Sequence, residues 1–220
     1  MKYLPEILNT KAAGIFCLLL AFFLKTLVIV HYSDISADKS KQYAAALNLL
    51  EGNGLTLTKA ATDDVSNIFY QPLTGWPPGY SLIIAPLIKV FPQNSPWPML
   101  LVDMAAFLLL LIVLKKILIL EKLPTWLANL FVLFAGCFFY SFISSSSSDL
   151  LALVSLLAAF YYTLRLIRND SSCWPVIIFS FLAAATRYMY IPVVFIFPLV
   201  ILYNGFFTQQ KNLLRSGWQL

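Results

Sequence analysis

The stretch GWPPGYSLIIAPLIKVFP, Gly75 to Pro92, decides how the whole chain is read. It is apolar enough for a membrane, yet Pro77, Pro78 and Gly79 open it and Pro92 closes it. Between those breakers lie about fourteen residues, where a helix crossing a hydrocarbon core needs about twenty. Proline suits the first turn of a helix, where its missing N–H would have no partner anyway. The spacing therefore predicts a short helix over Pro78–Phe91 that lies in one leaflet without crossing. Lys89 can reach the headgroups from its end by snorkelling.

The composition makes the bilayer the relevant solvent. Of 220 residues, 60% are hydrophobic and 11% charged, against about 25% charged in a soluble domain. That is too little charge for a water-facing surface. The net charge of +5 does not point to nucleic acid, because Lys and Arg sit in small groups between apolar runs, as topology signals do. Cys17, Cys137 and Cys173 have no metal-binding spacing, and His31 is the single histidine. Neither a zinc site nor a disulfide framework is supported.

The first apolar run, 12–31, lacks a small-x-small cleavage site and reads as a retained first span. Residues 32–96 form a large outer loop, 97–207 hold the remaining spans, and 208–220 form a cytoplasmic tail. The later runs are Trp97–Leu120, Pro124–Phe142, Leu150–Leu166 and Cys173–Phe207. The last is long enough for two tight spans turning near Arg187. One set of connections carries Lys2 and Lys11, then Lys115, Lys116 and Lys122, then Arg165 and Arg168, then Lys211 and Arg215. The positive-inside rule makes these cytoplasmic. Asp34, Asp38, Glu51, Asp63, Asp64 and Asp149 fall on the opposite side. The expected fold is thus all-α and integral to the membrane, with about six spans and both ends cytoplasmic.

Within the outer loop, Tyr43, Leu47 and Leu50 follow the i, i+4, i+7 pattern of an amphipathic helix. Gly52 stands where a C-terminal glycine belongs. Such a helix is expected to rest on the membrane surface. The following NGLTLTKAATDDVSN reads as a polar loop, and Ser144–Ser148 as a short outer loop.

Several polar residues fall where chemistry is feasible. Asp34 and Asp38 lie just after the first span. A carboxylate there can act as a general base on an acceptor hydroxyl or hold a divalent cation; equally, Asp38 can N-cap the Tyr43 helix. Asp149 opens a helix, where an acid complements the macrodipole, and it shares a side with Asp38. Arg187 lies inside an apolar run, where a charge is costly and has a partner or a function. A lipid phosphate is one partner; Asp103, itself in an apolar run, is the other. Lys25 is expected to snorkel outward.

The order acid, Tyr43, Leu47, Leu50, Gly54 and then Trp76–Tyr80 (WPPGY) resembles the start of GT-C glycosyltransferases. These are the polytopic enzymes related to protein O-mannosyltransferases and lipid A aminoarabinose transferases. The Ser-rich loop ending in Asp149 and AAATRYMYIP around Arg187 resemble later elements. The resemblance implies two juxtamembrane helices and a catalytic aspartate in the first outer loop. It also implies a polyprenyl-phosphate sugar donor and a lipid, glycan or protein acceptor. Asp38, with Asp34 as substitute, would be catalytic; Tyr43, Asp149 and Arg187 would bind substrate; a divalent cation is an optional cofactor. The site would face outward from the plasma (inner) membrane. The family aspartate stands four residues before the tyrosine, where this chain has Lys39, and Asp38 stands five before. Family members are longer, so a truncated chain or module is expected. The competing expectation is a non-catalytic membrane scaffold or a flippase-like subunit for a lipid carrier.

Overall fold

The computed structural model describes residues 4–31, 36–60, 66–92, 95–138, 147–168 and 172–203. The helices are α1 (Leu4–Leu8), α2 (Lys11–His31), α3 (Ala37–Leu50), α4 (Gly79–Ile88), α5 (Trp97–Leu120), α6 (Thr125–Phe138), α7 (Ser147–Ile167) and α8 (Trp174–Thr186). A last apolar helix, α9, covers Tyr188–Tyr203 and begins with a 3₁₀ turn over Tyr188–Tyr190. Strands β1 (Thr56–Ala60) and β2 (Ile68–Pro72) lie between α3 and α4. Three helices, α2, α5 and α7, are long and apolar enough to cross a membrane; α4, α6, α8 and α9 are apolar but shorter. This is consistent with a helical membrane protein.

The helices form a bundle with two chemically distinct ends. α2 and α6 run the same way: the Asn129 amide donates to Leu8 O at 2.7 Å, and further along Gly136 packs against Ala21. α5 runs opposite to α2, because Lys115 lies over Gly14 while Asp103 lies near Lys25. α7 runs with α5, its Arg168 end meeting Glu121, and α8 returns antiparallel to α7. One end therefore gathers Lys115, Lys116, Arg165 and Arg168. The other gathers Asp38, Asp103 and Asp149 beside Lys25, Lys39 and Arg187, and is called the acidic end for its carboxylates.

α3 and α4 cap the acidic end. The Tyr43, Leu47 and Leu50 side chains pack against a core that includes Tyr80, Ile84, Phe107 and Leu111. The amphipathic face expected to rest on lipid thus rests on protein. Even the polar Lys39, Gln42 and Asn48 are buried. Glu51 closes α3, and Gly52 follows at φ +87°, the left-handed region open to glycine. Asn53 N–H then bonds Asn48 O at 2.8 Å and Gly52 N–H bonds Leu49 O at 3.2 Å, a Schellman ending.

The expected short helix is present as α4, ten residues long with Pro78 at its N-cap, or about 15 Å at 1.5 Å per residue. At Gly79 there is no room for a Cβ, because the Ala185 carbonyl of α8 occupies the place. That contact seats α4 against the end of α8.

Two corrections concern the outer loop and class. The supposed polar loop, 53–67, contributes β1 to an antiparallel pair whose other strand, β2, directly follows it, with Thr56 opposite Pro72 and Ala60 opposite Ile68, so the chain is not purely all-α. Asn48 anchors it, its amide donating to Thr56 O at 2.8 Å and Thr58 Oγ1 at 3.2 Å. Ser144–Ser146 of the proposed serine loop lie outside the described residues, while Ser147 and Ser148 already belong to α7.

Candidate functional site

The first turns of α3 organise the acidic end. Ser36 is the N-cap: its Oγ accepts from the Lys39 N–H at 3.2 Å, satisfying one of the donors a helix start leaves open. Asp38 is therefore not the cap, and its carboxylate is available for other contacts.

Those contacts come from Arg187. α8 ends at Thr186, and Arg187 takes an extended conformation (φ −148°, ψ 119°) while its N–H still bonds Ala183 O at 3.0 Å. This kinked ending turns the guanidinium toward both carboxylates. Nε donates to Asp149 Oδ1 in the first turn of α7, and an η nitrogen stands 3.9 Å from Asp38 Oδ2. The Asp149 hydrogen bond, aided by the charges of Asp149 and Asp38, outweighs burial and raises the Arg187 pKa above its ordinary value. Asp38 keeps 37% of its side-chain surface exposed. At 3.9 Å its contact with Arg187 is a loose ion pair rather than a hydrogen bond.

Beneath this open cluster lies a buried one. Lys39 Nζ is 3.4 Å from Asp103 Oδ2, and Lys25 and Tyr80 also act on Asp103. Next along α3, the Gln42 amide donates to Ser148 Oγ at 3.2 Å, and its backbone carbonyl accepts from Ser81 Oγ at 2.9 Å. Asp38, Lys39 and Gln42 thus tie one helix to α4, α5, α7 and the α8–α9 turn.

Of the expected site residues, Asp38, Asp149 and Arg187 come together. Tyr43 does not join them: it lies about 140° around α3 from Asp38, half-buried against the core. Asp34 lies outside the described residues. Two pairings need correction. Asp103 partners Lys39 rather than Arg187, and Lys25 does not snorkel but is buried beside Asp103. Lys39 and Gln42 were missed as contributors. The signal for Lys39 was Asp103 itself, a carboxylate in an apolar run that requires a cation.

Among the described residues, no three or more His, Cys, Asp or Glu side chains gather to hold a metal. The two carboxylates of the open cluster instead share a guanidinium. What the cluster can do is accept a proton at Asp38 and offer positive charge from Arg187 within one small volume. No family model matches the chain, and no curated protein or solved structure is significantly similar to it.

Proposed function

We propose that this chain is a membrane glycosyltransferase module of the GT-C kind, working at the acidic end of the bundle. In this reading α2, α5, α6, α7, α8 and α9 are the six spans. The acidic end faces outward from the plasma (inner) membrane, with the basic end cytoplasmic by the positive-inside rule. The donor is a polyprenyl-phosphate sugar and the acceptor a hydroxyl of a lipid, glycan or protein. Asp38 takes the proton of the acceptor hydroxyl. The acceptor oxygen forms its bond to the anomeric carbon as the bond from that carbon to the phosphate oxygen breaks, and the polyprenyl phosphate leaves. Arg187, held by Asp149, offsets the charge gathering on that phosphate.

The observation that carries this reading is the meeting of Asp38, Asp149 and Arg187 from three separate segments at one end of the bundle, with Asp38 still open to solvent. The test is sugar transfer in membranes, with Asp38→Asn and Asp34→Asn side by side. General-base assistance is worth about 10²–10⁴-fold, so Asp38→Asn is expected to lose activity by that factor while inserting normally. Loss in Asp34→Asn alone would move the base. Full activity in both variants would overturn the enzyme.

A second reading has its own observation. Arg187 bridges α3, α7 and the α8–α9 turn, which is what a structural clamp in a non-catalytic scaffold requires. The clamp predicts that Arg187→Lys weakens the fold and that Asp38→Asn leaves partner assembly intact.

A further inference from the structure

The acidic end holds an aromatic side chain to which the proposed reaction gives no role. Trp76 stands between β2 and α4, half-buried, and Lys41 Nζ lies over its ring, 4.5 Å from the centre. Lys41 follows Asp38 by three residues on α3, so the two share one face of the helix. The second anchor of Trp76 is the chain itself. Gly79 is three residues on, within about 11 Å, and it packs against the Ala185 carbonyl, two residues before Arg187. Pro77 and Pro78 stiffen the link between Trp76 and Gly79. The indole is thereby placed at the rim of the Asp38–Arg187 cluster, tied to α3 on one side and to the end of α8 on the other.

The space beside it is open. A Cβ at Gly75 would meet no atom within 4 Å, and Lys41, Thr74 and Gly75 are exposed. A tryptophan that only anchors a protein at the membrane interface needs no fixed orientation, whereas a cation–π contact holds this ring in one. A fixed indole beside a carboxylate and a guanidinium suits a sugar. One face of a pyranose ring presents C–H groups, apolar and slightly positive, and the π-face of an indole is negative. The hydroxyls at the ring's edge are left for the charged groups.

We propose that Trp76 is a sugar platform: a pyranose ring stacks on the indole with its hydroxyls toward Asp38 and Arg187, and Lys41 is the positioning residue that holds the indole. The choice of a sugar rests on the proposed function, but the stacking can be measured without turnover.

The test is saturation-transfer NMR on the full chain in phosphatidylcholine nanodiscs. The probes are methyl β-glucopyranoside and methyl α-mannopyranoside, with mannitol, a polyol without a ring, as the control. The wild-type chain is expected to pass saturation to the ring C–H protons of at least one pyranoside and not to mannitol. Trp76→Ala is expected to weaken that binding about tenfold, the size of a lost aromatic contact, and Trp76→Phe to keep most of it. If Trp76→Ala loses its helical circular dichroism, Trp76→Leu, apolar but without a ring, is expected to show the same loss and decides the matter. Lys41→Gln is expected to weaken binding about threefold and Lys41→Arg to restore it. No transfer to either pyranoside in the wild type, or undiminished transfer in Trp76→Leu, overturns the platform. Unchanged binding in Lys41→Gln overturns the positioning role. A chain that binds pyranosides through Trp76 yet transfers no sugar in membranes overturns the proposed function alone. Sugar transfer with an unaltered KM in Trp76→Ala overturns the platform alone.

Discussion

The two ends of the bundle use the same residue types in different surroundings. At the acidic end, Lys39 and Asp103 face each other with 7% and 2% of their side-chain surface exposed. At the basic end, Arg168 and Glu121 stand closer together, at 2.8 Å, yet remain 41% and 46% exposed. The shorter contact is the weaker one. Water solvates both members of the exposed pair whether or not they meet, so their net contribution is about 0–1 kcal/mol. In the buried pair neither charge has water to fall back on, so removing one leaves the other stranded. Distance alone is a poor guide to which contact holds the molecule together.

The largest effect is expected from breaking the buried cluster. Asp103→Ala leaves Lys25 and Lys39 without their carboxylate, at a cost of about 3–5 kcal/mol. Unfolding in detergent titrated with dodecyl sulfate, followed by circular dichroism, measures it. Adding Lys39→Met should recover part of the loss, since an absent pair costs less than a broken one. A loss under about 1 kcal/mol would make the buried and exposed pairs equivalent and erase the contrast. Next in size is Gly79→Val, which forces a side chain into the place of the Ala185 carbonyl. Overpacking of this kind costs about 1–3 kcal/mol, and the same titration reads it. An unchanged midpoint would mean that α4 is not seated on α8. The smallest effect belongs to Glu121→Gln, expected to shift stability by less than about 1 kcal/mol and to matter less as salt is raised.

The features legible in the sequence were those decided by neighbours in the chain. Gly52 after α3, the break at Arg187 and the acid in the first turn of α7 each follow from local rules of helix start and stop. The short helix after Trp76 was readable from its flanking prolines. What escaped depended on pairing across distance. The hairpin needs Thr56–Ala60 to find Ile68–Pro72, and the alternation in TLTKA is too brief to announce a strand alone. Lys25 looked like a snorkelling lysine because a helix pattern does not say which face meets Asp103. Tyr43 lies on the i, i+4, i+7 face of α3 that the sequence shows, and the structure packs that face on the core. In the site itself, the residue types at Asp38, Asp149 and Arg187 were visible, but their shared contact was not. The ionic grip of Lys39 on α5 was missed, because α3 was expected to lie on lipid.

The ties on α3 are also ordered in time. Lys39 can meet Asp103 once α5 has left the ribosome, whereas Asp38 must wait for Arg187, which follows α8. A nascent chain paused within α6 would hold α3 by Lys39–Asp103, by the Ser81–Gln42 bond and by the packing of Tyr43, Leu47 and Leu50, with no guanidinium yet synthesised. Arrival of the α8–α9 turn is thus the event that completes the carboxylate–guanidinium cluster.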